Sequence, residues 1–316
     1  MAEECEELTR ALSGLGGLGL EEKSVAAAMG RWRRRPEMLD QFRRSFGGLF
    51  KGDDGSFERV DMDYIHLLEF ELARFKNLML QWLMHPWERD ARWAHHAIHK
   101  GDSPTVLVEI ACTRTPVELL GARKAYCSLF HRSLEEDVAY HISGSHSYFL
   151  VLLVSSYRYD GPNVNEEMAK LEAKVLHNAI HKAAAKGSLL SEEVLRILTT
   201  RSKPHLRETF KFYKQLFGKF IEEDLIKVPY IIETVESINS APAYFCKVID
   251  AALKDGVDQD SKEALTRVIV SRSNIDMLEI KGEYLKKHGT KLEDELQKFS
   301  RGVYRDALLS LVAGNE

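Results

Sequence analysis

The sequence predicts an all-α fold built from four copies of one helical unit. Three observations carry that reading. The first is internal repetition, which sets the architecture of any stacked array and is sought before local patterns. The stretches VLVEIACTRTP around Arg114, EVLRILTTRSK around Arg201 and ALTRVIVSRSN around Arg272 align. Twelve residues beyond each arginine stands a tyrosine (Tyr126, Tyr213, Tyr284), and twenty beyond stands an aliphatic (Leu134, Ile221, Leu292). Two acids follow in each copy: Glu136-Asp137, Glu223-Asp224 and Asp294-Glu295. The second observation is apolar spacing. Leu265, Val268, Ile269 and Arg272 fall at i, i+3, i+4 and i+7, one face of a helix, and strand-like alternation is nearly absent. The third is composition: over 316 residues, 44% are hydrophobic and 29% charged, enough to build a large core and too apolar for a disordered chain.

The copies can be taken in order. Copy one, residues 1–83, is degenerate, and its end ELARFKNLMLQWLMHPWERDA leads into copy two, residues 84–156. Copies two and three are spaced 87 residues apart at their arginines, against 71 for copies three and four. The difference is assigned to a polar linker over 157–169, carried by RYDGPNVNEE with the breaker Gly161-Pro162. Copy three spans 170–240 and copy four 241–316. Each is read as about five short helices, too small to bury its own apolar faces. After the SRSN break in copy four, Leu278, Ile280, Tyr284 and Leu285 predict a new helix, with Ser273 and Asn274 as natural N-caps. Thirty residues after the first and third arginines comes a glycine, Gly144 and Gly302, where copy three has Ile231.

Several function classes fall away. No apolar run reaches the ~18–20 residues of a membrane span. The N-terminus is acidic (Glu3, Glu4, Glu6, Glu7), unlike a signal peptide. The net charge of −4, from 44 basic and 48 acidic residues, argues against nucleic acid as a partner. Contact with an anionic membrane then needs a local basic patch or a bridging cation. Arg31, Arg33, Arg34 and Arg35 around Trp32 form one such patch. Cys5, Cys112, Cys127 and Cys246 are scattered without a CxxC pair, which points to a reducing compartment and away from a thiolate zinc site. His95 and His99, like His177 and His181, are spaced i, i+4 for a transition metal, yet lack the glutamate of H-E-x-x-H. Neither GxxxxGK[ST] nor GxSxG occurs, and no catalytic residue is assigned.

Six stretches carry a family resemblance: GLGLEE (17–22), HPWERDA (85–91), EIACTR (109–114), ILTTRSKPHL (197–206), SAPAYF (240–245) and IVSRSNID (269–276). Over nearly the whole chain the sequence resembles the annexin family. The HPWERDA junction and the acidic insertion KGDDGS (51–56) are most similar to its plant members. The resemblance implies four repeats packed as a curved disc, cytoplasmic and peripherally attached to anionic phospholipid through Ca2+. It also implies roles in membrane trafficking or calcium and stress signalling, with other annexins or the cytoskeleton as further partners. A scaffold with degenerate calcium sites is the alternative.

By the same resemblance, a G-x-G loop supplies carbonyl ligands and a later acid closes the shell, as a hard cation with six to eight oxygen ligands requires. Copy one keeps the loop, so Leu15, Gly17 and Gly19 are the carbonyl ligands, with Glu71 preferred and Glu69 second as closing acid. Leu18 and Leu20 are the membrane contacts. Copies two and three have lost the pattern, their closing positions falling on His141 and near Val228. Copy four keeps a weaker acidic loop with Asp255, Gly256, Asp258 and Asp260, and Phe299 at the closing position. The family's central polar channel maps onto Asp90, Glu109, Arg114 and Arg272, whose charges serve either as packing salt bridges or as an ion path. Cys112 and Cys246 match a cysteine pair proposed as a redox centre in plant annexins, where peroxidase activity has also been proposed. The methionine expected beside it is replaced by Ala111.

Overall fold

A computed structural model describes residues 22–32, 35–45, 50–52, 58–60, 62–99, 104–144, 147–185, 191–225, 229–254, 259–300 and 302–313. Copy one contains α1 (Glu22–Trp32), α2 (Pro36–Ser45), the antiparallel hairpin β1 (Phe50–Gly52) and β2 (Glu58–Val60), and the long α3 (Met62–Leu83). The hairpin is a departure from the helical expectation. It brackets the acidic insertion, with Phe50 paired to Val60.

Copy two is α4 (Pro86–His99), α5 (Thr105–Thr113), α6 (Pro116–Phe130), α7 (Leu134–His141) and α8 (Ser147–Ser155). Copy three is α9 (Glu166–Ala185), α10 (Glu192–Thr200), α11 (Lys203–Phe217), α12 (Ile221–Asp224) and α13 (Pro229–Asn239). Copy four is α14 (Ala241–Ala252), α15 (Gln259–Arg272), α16 (Met277–His288), α17 (Leu292–Phe299) and α18 (Gly302–Ala313). Helix α9 begins at Glu166, so residues 166–169 of the expected linker are helical.

The repeat offsets acquire physical meanings here. Arg114 and Arg201 are the extended C-cap residues that end α5 and α10, and Arg272 is the last residue of α15. The tyrosines Tyr126, Tyr213 and Tyr284 are buried in the third helix of each copy. Leu134, Ile221 and Leu292 open the fourth helix and are buried against the unit. Local capping chemistry fixes the starts. Thr115 accepts from the Glu118 N–H while Glu118 reaches back to the Thr115 N–H, closing a capping box ahead of α6. Ser202 caps α11, with Pro204 in its first turn.

The chain forms two compact units: residues 84–264 with 279–284, and residues 1–83 with 265–278 and 285–316. In the first unit the core runs continuously from Ala91 to Ile238, centred on Leu107, Tyr126, Leu150, Leu176, Leu198 and Tyr213. There α5 lies against α13, which ties copies two and three together. In the second unit α3 packs along α18, and the Arg74 guanidinium sits over the Tyr304 ring, 4.0 Å from its centroid.

One local expectation fails. The cap of α16 is Asp276 rather than Ser273 or Asn274, because Arg272 binds the Asp276 carboxylate and draws the turn out to that residue. Of the four residues that predict this helix, all of which lie in it, Ile280 and Tyr284 are buried, whereas Leu278 and Leu285 are 72% and 46% exposed.

Candidate functional site

The copy-one calcium loop, with Leu15, Gly17, Leu18, Gly19 and Leu20, lies outside the described residues, as do Asp255, Gly256 and Asp258 of copy four. The closing acids are described, and they face different surroundings. Glu71 is 9% exposed and ion-paired to Arg74 at 3.4 Å. Burial pushes its carboxyl above the usual range, against the pull of Arg74. Glu69, on the same helix, is open to solvent beside His66, 3.4 Å away. Phe70 between them is 40% exposed. In copy four, Phe299 sits against the Arg74 guanidinium at 5.5 Å and offers calcium no ligand oxygen from its side chain.

Three of the four channel positions come together in one unit. Arg114 binds Asp90 through Nε and Nη2 at 2.8 and 2.9 Å, a buried bidentate pair linking α4 to the end of α5. Glu109, fully buried, lies 3.9 Å from the same guanidinium. Arg272 belongs to the other unit and pairs with Asp276. The divergence has a sequence cause. Asp90 and Glu172 occupy matching positions in the first helices of copies two and three, and Arg201 binds Glu172 as Arg114 binds Asp90. The matching position of copy four is the buried Phe245, so Arg272 takes its acid from the following turn.

Around this pair lie buried groups that the sequence reading did not single out. Lys203 donates to the Arg114 carbonyl at 2.6 Å, and its burial pulls the ammonium down to about 8. Arg158, from the linker, donates to the carbonyls of Leu198 and Arg201 at 2.7 and 2.6 Å, closing the end of α10. Their signal was the invariance of the helix ends, which leave orphan carbonyls that some donor must reach. Cys112 lies among Arg158, Lys203, Thr234 and Ser237, and complete burial pushes its thiol up, away from the reactive thiolate. Cys246, in α14, is also buried. Glu233, on α13, is pushed up to about 7, chiefly by burial, with Lys247 opposing and Glu236 and Glu109 adding to the shift.

The two histidine pairs gain carboxylates from across the fold. His99 Nε2 is 3.4 Å from Asp137 Oδ2, and His181 Nε2 is 3.7 Å from Asp224 Oδ2. Each first histidine stacks on a phenylalanine, His95 on Phe130 at 3.9 Å and His177 on Phe217 at 3.8 Å between centroids. Burial, then the neighbouring histidine, pulls both His95 and His177 below the ordinary imidazole range.

A model of the annexin family matches residues 89–153, 172–227 and 244–311, which correspond to copies two, three and four. The chain belongs to the annexin family. It is 38% identical to annexin D4 of Arabidopsis thaliana, over 99% of this chain and 98% of that one, and is thus a plant annexin of the D4 type. Among solved structures, chicken annexin V is 29% identical with a TM-score of 0.67, covering 99% of this chain and 95% of that one. Annexin III shares the fold at a TM-score of 0.70 and 23% identity, covering 100% of this chain and 94% of that one. Copy one lies outside the family-model match, although the whole-chain relatives cover it.

Proposed function

We propose that this annexin binds anionic phospholipid surfaces from the cytoplasm in a calcium-dependent way, as a peripheral protein of membrane trafficking or calcium and stress signalling. Annexins are, as a family, calcium-dependent phospholipid-binding proteins, and no helix among the described residues is long and apolar enough to cross a membrane. The observation that carries the reading for this chain is Gly17-Leu18-Gly19-Leu20-Glu21, which keeps both loop glycines in an annexin whose other loops keep one. Glycines at those positions let backbone carbonyls converge on one cation. A bridging cation is what an acidic protein, at −4, needs to approach an acidic leaflet.

For the closing carboxylate the surroundings favour Glu69 over Glu71, the reverse of the order preferred from the sequence. A calcium ligand must present an ionised oxygen to an open loop. Glu69 is exposed and pairs with His66 alone among the described residues, whereas the Glu71 carboxyl is turned against Arg74, with burial opposing its charge. The test is calcium titration of binding to phosphatidylserine vesicles. Glu69→Gln should raise the calcium needed for half-binding about tenfold, while Glu71→Gln leaves it unchanged. A tenfold shift in Glu71→Gln alone returns the ligand role to Glu71, and no shift in either removes copy one as the calcium site.

A further inference from the structure

Two copies of this annexin carry the same side-chain cluster, and nothing in the calcium chemistry above uses it. In copy two, α4 presents His95 and His99 one turn apart, and α7 presents Asp137 to them from across the unit. In copy three, α9 presents His177 and His181, and α12 presents Asp224. In each trio one ligand atom per residue can be chosen so that all three lie within 4.8 Å of one another. The sequence hid this arrangement, because the carboxylate arrives 38 residues after His99 rather than inside the helix.

We propose that His95, His99 and Asp137 form a site for a divalent transition-metal cation of the zinc type, with His177, His181 and Asp224 as a weaker second site. Two imidazoles and a carboxylate are a borderline donor set that suits zinc, copper or nickel better than calcium. One edge of the first trio fits as well. Two ligands at roughly 2.0–2.1 Å from a tetrahedral ion stand about 3.3 Å apart. The gap between His99 Nε2 and Asp137 Oδ2 is 3.4 Å, long for a hydrogen bond and close to that edge.

The surroundings support the first trio as a prepared site. Tyr126 donates its hydroxyl to Asp137 Oδ2 at 2.6 Å, the kind of outer hydrogen bond that orients a ligating carboxylate. Phe130, stacked on His95, fixes the orientation of that ring. His141 lies beside His99, with 4.2 Å between ring centroids, and its Nδ1 is 3.2 Å from the Asp137 carbonyl oxygen. Arg132, 3.5 Å from Asp137 Oδ1, is the one arginine or lysine paired with that carboxylate among the described residues. In the second trio Tyr213 donates to Asp224 in the same way, but Lys219 also holds Asp224 Oδ1 at 2.6 Å and competes with a metal. That difference sets the expected order of affinities. In copy four the matching positions hold Asp250 and Lys254, 3.9 Å apart, which removes both imidazoles.

The experiment is a titration of the metal-free full-length protein with zinc against a chromophoric chelator, repeated with cobalt as a spectroscopic probe. Wild type should take up two zinc ions per chain with unequal affinity. The double variant His95→Gln, His99→Gln should weaken the tighter step at least tenfold. The variant His177→Gln, His181→Gln should remove the weaker step. Cobalt in wild type should show visible tetrahedral bands without the near-ultraviolet thiolate bands that cysteine ligation would add, a readout that does not depend on the variants folding. A millimolar excess of calcium should not displace zinc. Absence of micromolar zinc binding, thiolate bands in the cobalt spectrum, displacement by calcium, or an unaltered tight step in His95→Gln, His99→Gln would each overturn the proposal.

Discussion

At the scale of single residues, His131 shows how a repeat reveals a flaw. The third helix of copies three and four ends on a glycine in the left-handed region, Gly218 at φ 73° and Gly289 at φ 71°. Both stand seventeen residues after the repeat arginine, and at the same offset copy two has His131 at φ 57°. A side chain there is strained where glycine is not. His131→Gly should therefore stabilise the protein by about 0.5–1 kcal/mol, read as a raised denaturant midpoint at unchanged slope. The offset was present in the sequence, but one substituted copy in three concealed it. Glu233 gives a second prediction. Its folded value of about 7 lies above its ordinary 4.5. A raised acid contributes its full share of stability below 4.5 and loses it as pH rises through 7. Glu233→Gln should thus match wild type near pH 4.5 and exceed it above pH 7, by about 1–2 kcal/mol after allowing for its partial exposure. Equal pH profiles in chemical denaturation would contradict that cause.

At the scale of elements, helix ends add to the packed helix faces in joining copies two and three. The carbonyls at the end of α10 are met by Arg158 from the linker, and the Arg114 carbonyl at the end of α5 is met by Lys203 from the start of α11. Removing a buried donor leaves its acceptors without water or partner. Arg158→Met should destabilise the protein by about 2–4 kcal/mol in urea unfolding, and a loss below about 0.5 kcal/mol would show that the carbonyls find other donors. The helices themselves were legible from apolar spacing, and the tyrosine and aliphatic offsets marked buried positions in all three copies. Two things were not legible. The cap of α16 depends on Arg272, which turns to Asp276 because Phe245 replaces the acid of the other copies. The burial of Glu71 beside the exposed Glu69 depends on Arg74 and Tyr304, and the latter is more than two hundred residues away in sequence.

At the scale of the whole molecule, the acidic balance and the repeat pattern meet in one claim. An annexin carrying −4 needs a bridging cation or a local basic patch to reach an acidic leaflet, and one of its four loops retains the glycine pair proposed to organise calcium. The histidine sites were half-legible, since the i, i+4 pairs stand in the sequence while their carboxylates come only with the fold. The most direct measurement is co-sedimentation of the wild-type protein with phosphatidylserine vesicles at physiological ionic strength, with calcium and with a calcium chelator. Sedimentation with calcium and release on chelation is the predicted result. Equal sedimentation under both conditions, falling steeply as salt rises, would contradict calcium bridging and assign the membrane contact to exposed basic residues instead.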